Sequence, residues 1–500
     1  MKTKIYLLLL LFVPHILLPT PPPTSKTFFK SSNAPLWFSP SALPFNQTKK
    51  HTNATLQSAL GVEGFYWHST AKTQLGNYFG FYDSTSEAAY PFIRVTADVT
   101  IPHSLTPQDI VHNSANAGDP FNPTTNKMRA TLNFKPHIEQ FGLIMTNSVC
   151  INKWITIHTI MPWMQTRHVL GLTTTGAVND TVENNQKGIL DFFAGNLHQE
   201  TAASPDQQDA LRYGLLTNAQ SVSGLADITM LCLIAPEVHE DIKLQVGFLA
   251  ALPTTSRPNG IYLFEPTLGS GSHPLFGLYG RAETDFFTYR TLTVGGSIDA
   301  TVRAGITSQE VRSPSFLIGD NDAAFERYAL GGKKNARRLF PLINILTQVV
   351  GIKPGANVEV NIGINAGYKR VSGGIEYRFT HTGAEKVSPI FPWPSNTYAL
   401  SELFYAQTTV SGPTTTYHTF SIADDSAFSG SAPLTDRAIY FDAAATPAQT
   451  THSFLFSVRC TPLPQFPYSS LQVRGSYSFT GSTIFGVGGY GISCALCHTF

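Results

Sequence analysis

The sequence predicts an all-β chain: a membrane-spanning antiparallel β-barrel of about twelve strands, with long loops that carry short helices. Three observations lead there. Apolar and polar residues alternate with period two through five clear stretches, as in strands with one apolar face. The connections alternate in length, short then long, except for a short one around Gly481–Ile484 on the long side, as in a barrel with a turn rim and a loop rim. Only 13% of residues are charged against 42% apolar and 12% aromatic, a balance suited to a surface that faces something other than water. The same alternation also describes a soluble barrel or sandwich with its apolar face inward, and that alternative stays open here.

The elements follow in chain order. Residues 1–24 read as a secretory signal peptide: Lys2 and Lys4 precede an apolar run from Ile5 to Leu18, too short and too interrupted by proline to span a bilayer. Cleavage is expected near Thr20–Ser25. A Pro/Ser/Asn-rich segment, 25–55, leads into one barrel unit, 56–500. Weak strands are expected at 56–69, 129–149 and 153–167, the second with a bulge or kink near Pro136–Gln140. A further weak strand at 224–236 precedes a clear one at 241–252, where Ile242, Leu244, Val246, Phe248, Ala250 and Leu252 oppose Asp241, Lys243 and Gln245. After a weak strand at 273–288, three clear strands follow. In 292–303, Leu292, Val294, Ile298, Ala300 and Val302 oppose Thr293, Ser297, Asp299, Thr301 and Arg303. In 357–369, Val358, Val360, Ile362 and Ile364 oppose Asn357, Glu359, Asn361 and Lys369. In 371–380, Val371, Ile375, Tyr377 and Phe379 oppose Ser372, Glu376 and Arg378. Strands at 451–460, 471–480 (Leu471, Val473 and Tyr477 against Gln472, Arg474 and Ser476) and 485–500 complete the set.

Short connections fall at Cys150–Lys153, Pro236–Glu240, Tyr289–Arg290, Arg370 and Thr461–Phe466. Long ones fall at 70–128, 168–223, 253–272, 304–356 and 381–450. Helix-like spacing occurs in the long loops at 187–197, 206–216, 322–330 and 337–350. Aromatics near strand ends (Trp67, Trp154, Trp163, Tyr289, Tyr368, Tyr377, Phe379, Tyr477, Phe479) suit an interfacial girdle.

The C-terminus, Tyr490-Gly-Ile-Ser-Cys-Ala-Leu-Cys-His-Thr-Phe500, alternates back from Phe500 through His498, Leu496, Cys494 and Ile492. It resembles the last strand of Gram-negative outer-membrane β-barrels, with His498 replacing the usual aromatic. The resemblance implies a porin-like location in the outer membrane, both termini periplasmic and the long loops outside the cell. It also implies lipid and lipopolysaccharide as surroundings, and recognition of Ile492, Leu496 and Phe500 by the barrel-assembly machinery. It identifies no particular porin family, and it allows a homo-oligomer.

By parity, the candidate lumen wall carries Lys243, Arg281, Glu283, Asp285, Asp299, Arg303, Glu359, Lys369, Glu376, Arg378 and Arg474. Such a wall suits a passive pore for small polar solutes. It equally suits a network of ion pairs filling a closed lumen, in a surface protein that acts through its loops. Mixed signs argue against a strongly ion-selective filter.

With 34 basic and 33 acidic residues, no bulk charge attracts nucleic acid. No cofactor or metal site and no enzyme is expected. Gly486-Val-Gly488-Gly489-Tyr490-Gly491 has the G-x-G-x-x-G form but opens a strand rather than a helix. His239-Glu240-Asp241 and Gly319–Asp322 lack ligand geometry. Cys494 and Cys497 lie three apart on a strand, hence on opposite faces. The basic run at 333–338 is a solvated loop or a contact for lipopolysaccharide phosphates.

Overall fold

A computed structural model describes residues 26, 28, 57–70, 92–94, 128–133, 135–152, 154–179, 193–196, 207–236, 242–316, 327–328, 330–333, 338–394, 397–400, 439–461, 469–480 and 487–499. Twelve strands form the barrel: β1 (Gln57–Ser69), β2 (His137–Cys150), β3 (Ile155–Val169), β4 (in two stretches, Ala219–Leu225 and Ile228–Ile234), β5 (Ile242–Leu252), β6 (Leu275–Tyr289), β7 (Leu292–Gly305), β8 (Asn357–Tyr368), β9 (Val371–Thr382), β10 (Gln449–Cys460), β11 (Ser469–Phe479) and β12 (Gly489–Thr499). Each is antiparallel to its neighbours in sequence. The ring closes where β12 returns to β1, from Ala59 opposite Thr499 to Ser69 opposite Gly489. Closure leaves no unpaired edge, which a strand structure in lipid requires.

The alternation places apolar side chains outward. Leu60 and Val62 on β1, Phe248 on β5, Leu278 on β6, Ile364 on β8 and Val458 on β10 are all exposed, while their neighbours in sequence turn inward. Water would penalise such a belt; a bilayer accepts it. This removes the soluble alternative, because an apolar-in barrel would bury these residues. Outward aromatics include Trp154, Trp163, Tyr289, Tyr368, Tyr477 and Phe479. Trp67 is the exception to the expected girdle. It is an inward residue, 2% exposed, since β1 alternates Phe65 and Trp67 inward against Tyr66 outward.

Two irregularities have chemical causes. The single strand expected at 129–149 divides at Pro136. Met128–Asn133 leaves the barrel to pair with Phe92–Arg94 and Thr173–Asn179, and β2 begins only at His137. Strand β4 breaks at Ala226-Asp227, opposite Pro162 of β3, which has no N–H to give the ladder. Ala226 N still donates to Pro162 O at 2.8 Å, and Asp227 accepts from Ser270 N at 2.7 Å.

Two-residue turns join β6 to β7 (Arg290-Thr291) and β8 to β9 (Lys369-Arg370). Arg290 and Lys369 have φ of 53° and 54°, a region side chains seldom adopt. On the opposite rim the wall continues upward. Ser308–Arg312, Gln348–Lys353 and Lys386–Pro389 extend β7, β8 and β9 as a three-stranded sheet.

The bend between sheet and barrel passes Gly355, where a Cβ would meet the carbonyl oxygen of Gly383. Gly355→Ala is therefore expected to destabilise the fold by about 1–3 kcal/mol, measurable as a lower urea midpoint of the detergent-folded protein.

Within the four stretches with helix-like spacing, the described residues are helical only at Phe193, at the turn 327–328 and at Ile343–Leu346. In 337–350 only Ile343–Leu346 is helical, between strand segments Arg338–Pro341 and Gln348–Lys353. Pro341 and the β-branched Val349 and Val350 oppose a longer helix. Segment 207–216 is strand and irregular, and residues 327–328 form one tight turn. The helix expected at 187–197 falls mostly outside the described residues. So do the signal peptide, 237–241, 317–326, most of 333–338 and Phe500.

Candidate functional site

The inner wall of the barrel is chemically two-sided. One side is apolar. Leu231 and Leu233 of β4, Leu249 and Ala251 of β5 and Tyr279 of β6 form one buried cluster. Phe65, Ile144, Ile160 and Met164 form another with Ala226 and the loop residue Leu268. The uniformly polar lumen expected from the strongest strands is thus only half of the wall. The missed part lies on the weakly patterned strands β1–β4 and β6 and on the second half of β5, where Leu249 and Ala251 make both faces apolar and parity is unreadable.

The other side is a charge ladder across five adjacent strands. Lys243 of β5 reaches Glu283 of β6 at 3.6 Å, and Glu283 accepts from Arg281 at 3.1 Å. On β7, Asp299 Oδ1 accepts from Asn361 Nδ2 of β8 at 2.7 Å, and Arg303 donates to Asn357 Oδ1 at 2.8 Å. Asn361 returns its carbonyl oxygen to Arg378 Nε of β9 at 2.7 Å. Glu359 stands between Arg303 (3.5 Å) and Arg378 (3.6 Å), and Glu376 lies 3.5 Å from Arg378. Cations and acids alternate and balance: Lys243, Arg281, Arg303 and Arg378 against Glu283, Asp299, Glu359 and Glu376. Asn361, 1% exposed, is the hinge of this network: its amide donates to Asp299 and Glu359 and accepts from Arg378.

The ladder is not uniformly open. Arg281, Asp299 and Arg378 are buried, whereas the Lys243 side chain is 62% exposed. Asp285 lies nearer the turn rim, beside the bulge between Asp285 and Phe287, and is exposed. Lys369 departs from the expected wall: it occupies the two-residue turn, with its ammonium 5.1 Å from the Tyr368 ring. A turn residue has no strand parity to place it inside.

Arg474 belongs to a second network where the ring closes. Its Nη1 lies 3.3 Å from Glu63 Oε1 of β1, its Nη2 donates to Gln472 at 2.8 Å, and Ser493 of β12 donates to Glu63 at 2.5 Å. Glu63 escaped sequence reasoning because its inward neighbours are Gly61 and Phe65. The signal available was only that a carboxylate interrupts an apolar strand. Cys494 is exposed while Cys497 is half-buried and its sulfur lies inward, against Gly61.

At the loop rim, Phe340, Leu342, Leu346, Trp393 and Ile439 form a small core. Glu265 accepts from Asn259 and Gly260 backbone N–H groups, yet burial pushes its carboxyl above the usual range.

No family model matches the chain, and a search of curated proteins found no match. Among solved structures it is similar to an outer-membrane channel of Pseudomonas putida F1, at 8% identity and TM-score 0.34, over 91% of this chain and 99% of that one. It is also similar to the transport unit of the autotransporter AIDA-I of Escherichia coli, at 9% identity and TM-score 0.31, over 91% of each chain. The toluene transporter TodX of Pseudomonas putida gives 8% identity and TM-score 0.26, over 96% and 95%.

Proposed function

We propose that the chain is an outer-membrane pore for small hydrophilic solutes, with its turn rim and both termini in the periplasm and its long loops outside the cell. The observation that carries this is the ladder from Lys243 to Arg378. A barrel that only had to be closed could be filled with apolar side chains, as the β4–β5 side is. That filling is usually as stable as buried ion pairs or more so. Alternating charges along the wall instead provide hydrogen-bonding partners for polar solutes that shed part of their water. Because the signs balance, the pore is expected to be weakly ion-selective.

Single-channel conductance of the detergent-folded protein in a planar bilayer tests the reading: discrete steps are expected. Lys243→Glu changes the most accessible charge of the ladder and is expected to shift selectivity toward cations by about twofold, with folding unchanged.

The burial of Arg281, Asp299 and Arg378 favours a second reading, a closed barrel that displays its loops. A folded, heat-modifiable protein that never conducts would select it.

Assembly is a separate proposal. Ile492 and Leu496 face outward on β12, both exposed, where a periplasmic or membrane factor can reach them. Deleting Phe500 is expected to cut outer-membrane yield in cells severalfold while leaving refolding into detergent intact. Equal yield would exclude a C-terminal assembly signal.

A further inference from the structure

The two described residues that precede the barrel sit at its far end. Strand β1 begins at Gln57, whose partner is Cys150, the last residue of β2 before a turn. Gln57 is therefore at the turn rim. Phe28 and Lys26 are at the loop rim. The Phe28 ring lies over the Arg312 guanidinium, 3.1 Å from its carbon to the ring centre. Lys26 Nζ donates to the carbonyl oxygen of Asp442 at 2.7 Å. Both residues are buried, at 5% and 8% exposure.

Their surroundings are a buried cluster on the inward side of the wall extension. The wall extension keeps the in–out alternation of the barrel: Val350 and Ile352 are fully buried while Val349 is exposed. Arg312 lies on the inward side, donating through Nε to Glu310 at 2.9 Å and through Nη1 to Ala444 O at 3.2 Å, with Glu385 at 3.6 Å. His273 Nε2 lies 2.9 Å from the other Glu310 oxygen. The tight turn Phe441–Ala444 is tied to this cluster by the Arg312 bond to Ala444 O and is also held by Lys26 at Asp442 O.

An arginine whose edge is taken by carboxylates and a carbonyl still has an open face. An aromatic ring covers that face with a cation–π contact that strengthens when water is excluded. The cluster sets two carboxylates, Glu310 and Glu385, against Arg312 and His273, and the Lys26 ammonium is anchored beside it on the Asp442 carbonyl.

We propose that Lys26 and Phe28 dock on the inward side of the wall extension, against Arg312 and Asp442, and that these two residues obstruct the conduit. The docking rests on the contacts above; the obstruction rests also on the pore reading. Chain length permits it: at ~3.3 Å per residue the stretch between Phe28 and Gln57 can cover the ~25 Å apolar band more than once. The occupant is covalently tethered, so its local concentration is high and a modest contact suffices to keep the site filled.

The test has two readouts on the full-length, detergent-folded protein. The first is lysine acylation followed by mass spectrometry. Lys26 is expected to react about tenfold or more slowly than the exposed Lys353 and Lys386, since a docked segment visits its open state at ~0.1–10%. The second is conductance of a Lys26→Ala/Phe28→Ala double variant. Removing both contacts is expected to raise open time about tenfold, with Phe28→Leu, which keeps apolar area but loses the ring, giving part of that rise. Fast acylation of Lys26 in a protein that conducts overturns the docking and leaves the pore reading intact. Protected Lys26 with conductance unchanged in the double variant overturns the obstruction. Protected Lys26 with both proteins silent overturns the obstruction together with the pore reading on which it rests.

Discussion

Replacing Arg474 by Met will destabilise the folded barrel by about 3–5 kcal/mol, because it strands the Glu63 carboxylate without a cation. Glu63 is buried on the inner wall of β1, with Arg474 Nη1 3.3 Å away and Ser493 donating to it. These residues sit on β11, β12 and β1, the strands that close the ring. Loss of the guanidinium should therefore weaken the seam most. Urea unfolding in detergent, followed by the heat-modifiable shift on gels, reads the change. The double variant Glu63→Gln/Arg474→Met removes the orphaned charge as well and should recover most of the loss. If the double variant is as unstable as the single, the pair does not act as a unit, and Arg474 matters through packing instead.

The second large effect concerns the outer surface. Phe248 is 70% exposed, near the middle of β5. Phe248→Arg places a charge on the lipid face near mid-depth and is expected to cost about 2–4 kcal/mol when the protein folds into liposomes. Phe248→Leu should be nearly neutral there. A barrel whose apolar belt met water would tolerate the arginine or gain solubility from it. Equal folding yields for the arginine and leucine variants would thus remove the membrane-spanning reading, and with it the pore.

How far the sequence could be read depended on strand chemistry. On β7, β8 and β9, polar and apolar residues alternate without interruption, and each charge named there lies on the inner side: Asp299 and Arg303, Glu359, Glu376 and Arg378. On β1 and β2 the inner face carries Phe65, Trp67 and Ile144. Period two then has no contrast to show, so Glu63 stayed hidden and Trp67 was placed on the wrong side. Lys369 was misplaced for a different reason. Parity counts residues along a strand and does not show where the strand ends in a turn. The helix spacing at 337–350 failed because apolar residues three and four apart also occur where two short strands flank a single helical turn. Burial of Leu342 and Leu346 against Trp393 and Ile439 decides the backbone there, through contacts distant in sequence.

What this sequence determines by itself is local and periodic. Alternation sets which side chains share a face, turn residues set where strands reverse, and the sparse charges imply an apolar surround. These properties follow from backbone geometry that repeats every two residues, so they need no knowledge of the neighbours. Only the tertiary structure decides what meets across the closed ring. It joins Arg474 to Glu63 across the seam, threads Asn361 between Asp299 and Arg378, and brings Phe28 onto Arg312. Those contacts depend on ring closure and on loops folding inward. Their partners lie tens to hundreds of residues apart, where no local pattern links them.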